Sequence, residues 1–551
     1  MPVAGTAVAD APEWWREPGR PGFAPGSALG TGFPWVLAGL ARGAWGVTAP
    51  VTGIRYPALP GAPSALEPLA WCDSLEVSTG EGAGLGGYDA PLAWVRPGPG
   101  RQAAPRSRAM FHVLNGDFDL DETGLAIERG DSLRAMRVGA FSGDRGERGG
   151  LALAGAHLWG GSGTLRRGRH SFEGGYAQRG VASLLKGGEE EALRAESGWV
   201  GYGVSAGRLR AALSAARDRA VGESFLPARD VYAWSRRDAE RNQVALEAGA
   251  SREGRDLALR AEWSESRVRR TEGPAFDRRA KTLWVAARLA QQAREGTLEV
   301  ALGAGHHDAL DRWDLAPSAA YRFDVAPFSG RVVLERLLAP VWSDLAPGVA
   351  PFLQSTWVAG CEVDASAGAS LDARVAFLLG TSRDRAIVSR LPLEEQWLRA
   401  GLRPDPGRYD FGLLTAAGAW RWRRASGALE GFALARDPGA LQPAVDPSFG
   451  GRASAGVRFQ AFGGDLDVTL RAEMEAIGPR ESEAAVPRRL PGYASAGLAG
   501  EFGLGDARVT VRVRNLEDRI RPETWIDSAT GREAEGVGRE FRVGIAWRLF
   551  N

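Results

Sequence analysis

Several groups of residues in this chain have types and spacings that could do chemistry. Gly82, Gly84 and Gly87 follow a strand-like run with the spacing that lets a backbone approach a dinucleotide pyrophosphate. That chemistry needs a helix to begin near the third glycine, so that its amides can hold the phosphates. Pro91 and the apolar run through Val95 stand there instead. Gly203-Val204-Ser205-Ala206-Gly207 has the spacing of a nucleophile elbow, which requires a strand-to-helix turn. Arg208 to Ala216 alternates as another strand, so the expectation is a hairpin turn. Asp117, Asp119, Asp121 and Glu128 match a calcium-loop spacing, but Glu122 occupies the position that demands glycine. They read as solvated carboxylates. His306-His307-Asp308 could suggest a metal or a proton relay, yet neighbours on a strand point to opposite faces, so a loop-edge pair is expected. Cys72 and Cys361 have no metal or redox spacing, and His112, His157 and His170 are scattered. The sequence predicts no enzyme, no cofactor and no metal.

The elements around these residues tell more. Lys+Arg 68 against Asp+Glu 67 leaves no basic excess and no basic patch, which disfavours nucleic acid as a partner. Gly 74 and Trp 19 suit many tight turns and interfacial aromatic belts. No run of about 18 apolar residues is present, and Phe33 to Ala41 is too short to be a membrane helix. A membrane protein of this composition has to cross with strands.

Strand patterning dominates from Ser107 to the end. In the last run, Phe541, Val543, Ile545, Trp547 and Leu549 take every second position, and Glu540, Arg542, Gly544, Ala546 and Arg548 fill the gaps; Phe550 follows. The same code gives Leu257, Leu259, Ala261 and Trp263 against Arg260 and Glu262. It also sets Leu466, Val468, Leu470, Ala472 and Met474 against Asp467, Arg471 and Glu473, and Val509, Val511 and Val513 against Arg508, Arg512 and Arg514. Burying the second face in a dry core would cost several kcal/mol per unpaired ion. A polar lumen removes that cost. Counting the runs predicts an all-β transmembrane antiparallel β-barrel of about 22 strands, with the final run as its closing strand.

The connections alternate in kind, as the two unlike ends of a membrane barrel require. Short turns, mostly with glycine, are expected at Gly130-Asp131, Gly160 to Gly163, Ala206-Gly207, Glu253-Gly254, Glu295-Gly296, Ser329-Gly330, Gly368, Ser426-Gly427, Gly463-Gly464 and Gly503 to Gly505. Variable loops are expected at Lys186 to Glu191, Val221 to Asp230, Ser382 to Arg408, Asp437 to Gly450, Gly478 to Arg488 and Asp518 to Gly536. Trp159, Trp199, Trp234, Trp284, Trp357 and Trp422 lie within or near strand ends, as an interfacial belt would.

Upstream, 1–43 reads as an irregular or disordered Pro/Gly/Ala-rich segment without a leader signature, so a leader has been removed or the gene start lies further upstream. A unit over 44–104 carries two short strand-like pieces and a small partial plug segment, and 105–551 is the barrel. Asp73, Leu75, Glu76, Val77 and Gly80, then Gly82, Gly84, Gly87 and the apolar strand through Val95, resemble the end of the plug of TonB-dependent receptors. Asn515-Leu516-Glu517-Asp518, a loop, Gly538-Arg539 and the terminal strand resemble the C-terminal pattern of the same family. The first half of the family plug and the TonB box find no match here, and Leu549 stands in phase where the family has a terminal aromatic.

The resemblance implies substrate uptake across the outer membrane of a Gram-negative cell. Its implied partners are outer-membrane lipid, the barrel assembly machinery, a TonB-type energy-coupling protein and a small-molecule ligand, with the chain a monomer. Alternatives from other classes are a structural or adhesive surface barrel with a vestigial plug, and a passive porin-like channel.

Overall fold

The computed structural model describes four short N-terminal strands, Tyr88, and the chain from Arg108 to Phe550 apart from stretches in the connections, chiefly 342–351, 389–401, 437–447 and 482–487. The 1–43 segment, Asp73, Gly80, Gly82, Gly84 and Gly87 lie outside the described residues, as does Cys72.

Twenty-two antiparallel strands, from Arg108–Gly116 to Glu540–Phe550, form a closed barrel. Closure is made by the last strand. Glu540–Phe550 pairs with Ala507–Arg514 on one side, from Val513 opposite Phe541 to Ala507 opposite Trp547. On the other side it pairs with Arg108–Gly116, from Arg542 opposite Gly116 to Phe550 opposite Arg108. No open edge is left to face lipid. A separate four-stranded sheet comprises Arg55–Tyr56, Trp45–Thr48, Ala93–Pro97 and Leu75–Thr79 in that order, so Leu75, Glu76 and Val77 of the plug-like motif are on its edge strand.

The predicted phase sets the two faces of the wall. Leu257, Leu259 and Trp263 are 40 to 50 % exposed on the outside, while Arg260 and Glu262 between them are 2 % and 4 % exposed. Leu470, Met474, Phe541, Ile545 and Trp547 are exposed likewise, with Glu540 and Arg542 buried inside. Val468 shares the outward phase but is buried, in register between Phe459 and Phe502, whose rings are large enough to cover it. A wall whose aliphatic and aromatic side chains face outward in a continuous band is the surface of a membrane barrel.

Four turn expectations need correction. Gly160 to Gly163 lies inside the strand Leu151–Arg167, and the turn comes at Gly168-Arg169. Those glycines serve close approach: a Cβ on Gly160 would meet the Tyr176 carbonyl oxygen at 2.3 Å. The turn expected at Ser329-Gly330 falls at Ala326-Pro327, and that at Ser426-Gly427 falls at Arg423-Arg424, where Arg423 takes φ 54. Gly427 instead lies under the Trp420 ring.

The fourth case is Val221 to Asp230, expected as a loop. Here the strand Leu209–Ala228 continues and pairs to Ala228 opposite Val231. Beyond the membrane band both faces of a strand are wet, so alternation disappears while pairing does not. Outward ion pairs replace the outward aliphatics there: Arg217 with Glu240 at 3.0 Å, Arg219 with Asp238 at 2.8 Å and Arg236 with Glu223 at 3.1 Å.

The tryptophans divide between the faces. Trp159, Trp357 and Trp422 are exposed, whereas Trp284 is 1 % exposed on the lumen side and Trp199 is half-buried over Gly175. The belt expectation is therefore wrong for Trp284 and Trp199: strand phase, not residue type, decides which way a ring points. The side chain of Trp234 lies outside the described residues. Cys361 is a free, exposed cysteine on the outward face.

Candidate functional site

The lumen wall is polar, and among the described residues many of its charges are paired within or across strands. Arg260, on Arg255–Arg270, reaches Glu262 on its own strand and Glu247 on the neighbouring one, both at 2.5 Å. Arg374 holds Asp364 at 2.6 Å and Glu362 at 3.1 Å. Arg512 meets Glu473 at 2.6 Å across two strand spacings, and Arg542 meets Glu540 at 2.8 Å on the closing strand itself. Each pair joins residues two apart on one strand or on inner-face strands one or two spacings apart, so barrel register and residue identity together make the contacts.

At the long-loop end of the band the wall changes character. Trp284, Gly305, His307 and Asp314 come from three consecutive strands, Phe276–Ala293, Gly296–His307 and Arg312–Val325, and all face inward. Tyr88, from the N-terminal segment, sits among them and is 3 % exposed. Its ring meets Trp284 edge-on at 5.2 Å and His307 edge-on at 5.8 Å. Its hydroxyl donates to the Gly305 carbonyl at 2.9 Å. Ala286, Ala316, Leu338 and Leu353 complete the apolar surround.

Gly305 is what makes room. A Cβ there would sit 2.3 Å from the Trp284 ring and 2.7 Å from the Tyr88 ring. Burial raises the Tyr88 phenol well above its ordinary range, and the nearby Asp314 carboxylate adds to this, so the hydroxyl stays a donor. The two histidines fall on opposite faces as expected: His307 is buried inside, and His306 points outward beside Trp313 at 5.5 Å. No cluster of metal-ligating side chains occurs among the described residues.

The Asn515-Leu516-Glu517-Asp518 and Gly538-Arg539 positions come together as a clasp where the last long connection begins. Asn515, at φ 52, donates through its amide nitrogen to the Arg519 carbonyl at 2.9 Å. Glu517 accepts the Ala496 N–H at 2.9 Å, and Asp518 accepts the Arg539 N–H at 2.7 Å. Gly538 lets Asp518 approach, since a Cβ there would meet its carboxylate oxygen at 2.6 Å. Asp117 accepts the Phe541 N–H at 2.7 Å and its own N–H donates to the Phe541 carbonyl at 3.0 Å, which pins the closing strand at the same end. Val543, Ile545 and Trp547 lie on the seam so formed; Leu549 and Phe550 belong to its paired backbone.

Sequence reasoning missed Tyr88. Its only local signal is that it is the first aromatic after Gly86-Gly87.

No family model and no curated protein matches the chain. Among solved structures it is similar to the copper transporter OprC at TM-score 0.75 and 13% identity, covering 92% of this chain and 91% of that one. It is also similar to the ferric yersiniabactin uptake receptor FyuA of Yersinia pestis at TM-score 0.71 and 11% identity, over 92% of this chain and 89% of that one. The siderophore receptor PirA of Acinetobacter baumannii follows at TM-score 0.70 and 9% identity, over 92% and 91%. The fold is that of the TonB-dependent receptors. Tyr88, from the N-terminal part of this chain, docks on the inner wall of the barrel.

Proposed function

We propose that this chain is an outer-membrane receptor that takes up a small-molecule ligand, with energy supplied by a TonB-type protein and the 44–104 segment acting as a partial plug. The observation that carries this reading is the docking of Tyr88 on the inner wall of a closed 22-strand barrel. A barrel of this size leaks unless something fills it. An N-terminal segment anchored inside the barrel is the arrangement that a gated uptake route needs and a passive channel does not. The similar structures include proteins described as transporters of copper and iron and as receptors for siderophores, and none of their descriptions names an enzyme. A metal ion or metal chelate is therefore the ligand class to test first.

The test is direct. The full chain, expressed in a Gram-negative host, should fractionate with the outer membrane as a heat-modifiable monomer. In proteoliposomes it should bind the periplasmic domain of a TonB-type protein and take up its ligand faster with that domain than without it. Outer-membrane barrels that bind no such domain yet pass solutes freely would favour the porin-like alternative. Tight barrels that bind neither the domain nor any ligand would favour the structural one.

A further inference from the structure

Beside the short turn at Gly207-Arg208, the outward face of four neighbouring strands contains a groove of about 340 Å³, within the size range of ligand clefts. Its floor is alanine: Ala206, Ala211, Ala248 and Ala250 leave depth where longer side chains would fill it. Leu209, Leu257 and Leu259 form the walls, each exposed. Cross-strand register sets Leu209, Ala250 and Leu257 in one row, and Ala211, Ala248 and Leu259 in the next row toward the middle of the band. Two residues toward the rim from Ala250 and Leu257, the register pairs Arg252 with Arg255. The adjoining turn adds Arg208, whose carbonyl accepts the Ser251 N–H at 2.9 Å.

These arginines differ from those inside the barrel. Arg260, Arg374 and Arg512 are each neutralised by carboxylates at hydrogen-bond distance. Arg208 and Arg255 are exposed and make no ion pair among the described residues. Arg252 approaches only Glu253, at 3.9 Å, with both side chains more than three-quarters exposed. The other nearby carboxylate, Asp256, takes the Ser251 hydroxyl. An apolar trough thus leads in one step of about 7 Å to three guanidinium groups with unused donors.

We propose that this groove binds an anionic glycerophospholipid of the periplasmic leaflet, with an acyl chain on the alanine floor and the phosphate held by Arg208, Arg252 and Arg255. The proposal rests on the outer-membrane reading above, which places the short turns on the periplasmic side. Lipid A has the same phosphate and acyl chemistry but belongs to the opposite leaflet.

Native mass spectrometry of the purified full chain in detergent, titrated with phosphatidylglycerol, phosphatidylethanolamine or lipid A, tests this. Phosphatidylglycerol should bind in preference to the other two. The double variant Arg252→Gln/Arg255→Gln should lose phosphatidylglycerol affinity by about fivefold for each arginine, with little change for phosphatidylethanolamine. Ala250→Phe, which fills the floor, should weaken both phospholipids. Unchanged phosphatidylglycerol affinity in both variants, or a preference for lipid A, would overturn the proposal. Heat-modifiable migration separates the two levels of failure: a chain that never forms a lipid-inserted barrel sinks the membrane reading, whereas an inserted barrel without phosphatidylglycerol preference sinks only this site.

Discussion

At the scale of single residues, the sign of a substitution depends on which way its strand phase points. Leu470 is 43 % exposed on the outward face, and Arg471 lies on the inner one. Leu470→Arg should destabilise the barrel in lipid by about 2–4 kcal/mol, and Arg471→Leu by much less; equal unfolding midpoints would refute the phase. Inside, Arg260 is different in kind, because Glu262 is 4 % exposed and would be left buried without its partner. Arg260→Ala should cost about 3–5 kcal/mol, and the double variant with Glu262→Gln should recover part of it. In the turn after Leu120–Gly130, Asp131 accepts the N–H groups of Leu133 at 2.8 Å and Arg134 at 2.9 Å, and these bonds hold its carboxyl below the ordinary range. A depressed carboxylate stabilises fully above its unfolded pKa of about 3.9 and loses that contribution as pH falls through the lower folded value. Protection of the Leu133 and Arg134 amides, relative to their intrinsic exchange rates, should therefore be lost only below the ordinary carboxylate range, and be absent at every pH in Asp131→Ala.

At the scale of elements, the seam between the first and last strands carries the most consequence. Glu540–Phe550 and its partner Arg108–Gly116 are the strands whose two neighbours come from opposite ends of the barrel sequence. Without Glu540–Phe550, two rows of backbone N–H and C=O groups would face lipid unpaired. Deleting Phe541 to Asn551 should leave an unfolded or aggregated chain, and recovery of that chain as a heat-modifiable barrel would show that closure is made otherwise. Asp117→Ala is the gentler version. It removes one acceptor at the long-loop end of the seam, so hydrogen exchange should rise at Phe541 and stay unchanged near Trp547.

At the scale of the whole molecule, conductance reports how the lumen is filled. The 44–104 segment is short for the bore it has to block, so planar bilayers should record larger or more frequent openings than a fully plugged receptor gives. Tyr88→Ala removes the ring that fits between Trp284 and His307 and should raise the open fraction without altering heat-modifiable migration. Removing Met1 to Arg96 should raise it further. Tight bilayers in all three cases would mean that loops or lumen side chains seal the pore.

What the sequence determined by itself is whatever repeats locally. A period of two along each run decides that Leu257 and Trp263 share one face and Arg260 and Glu262 the other. The mixed ionic and apolar faces then leave a barrel with a wet lumen as the arrangement that satisfies both. The closing strand was legible for the same reason, whereas the clasp residues Asn515 to Asp518 stood out only by their resemblance to a family pattern. Tertiary structure decided what depends on distant chain. Gly160 reads as a turn until the Tyr176 carbonyl lies against it, and Trp284 reads as a belt residue until its strand is placed in phase with its neighbours. Tyr88 meets Gly305 across a separation of 217 residues, a contact that no local pattern encodes because it exists only once the barrel has closed around the segment that carries it.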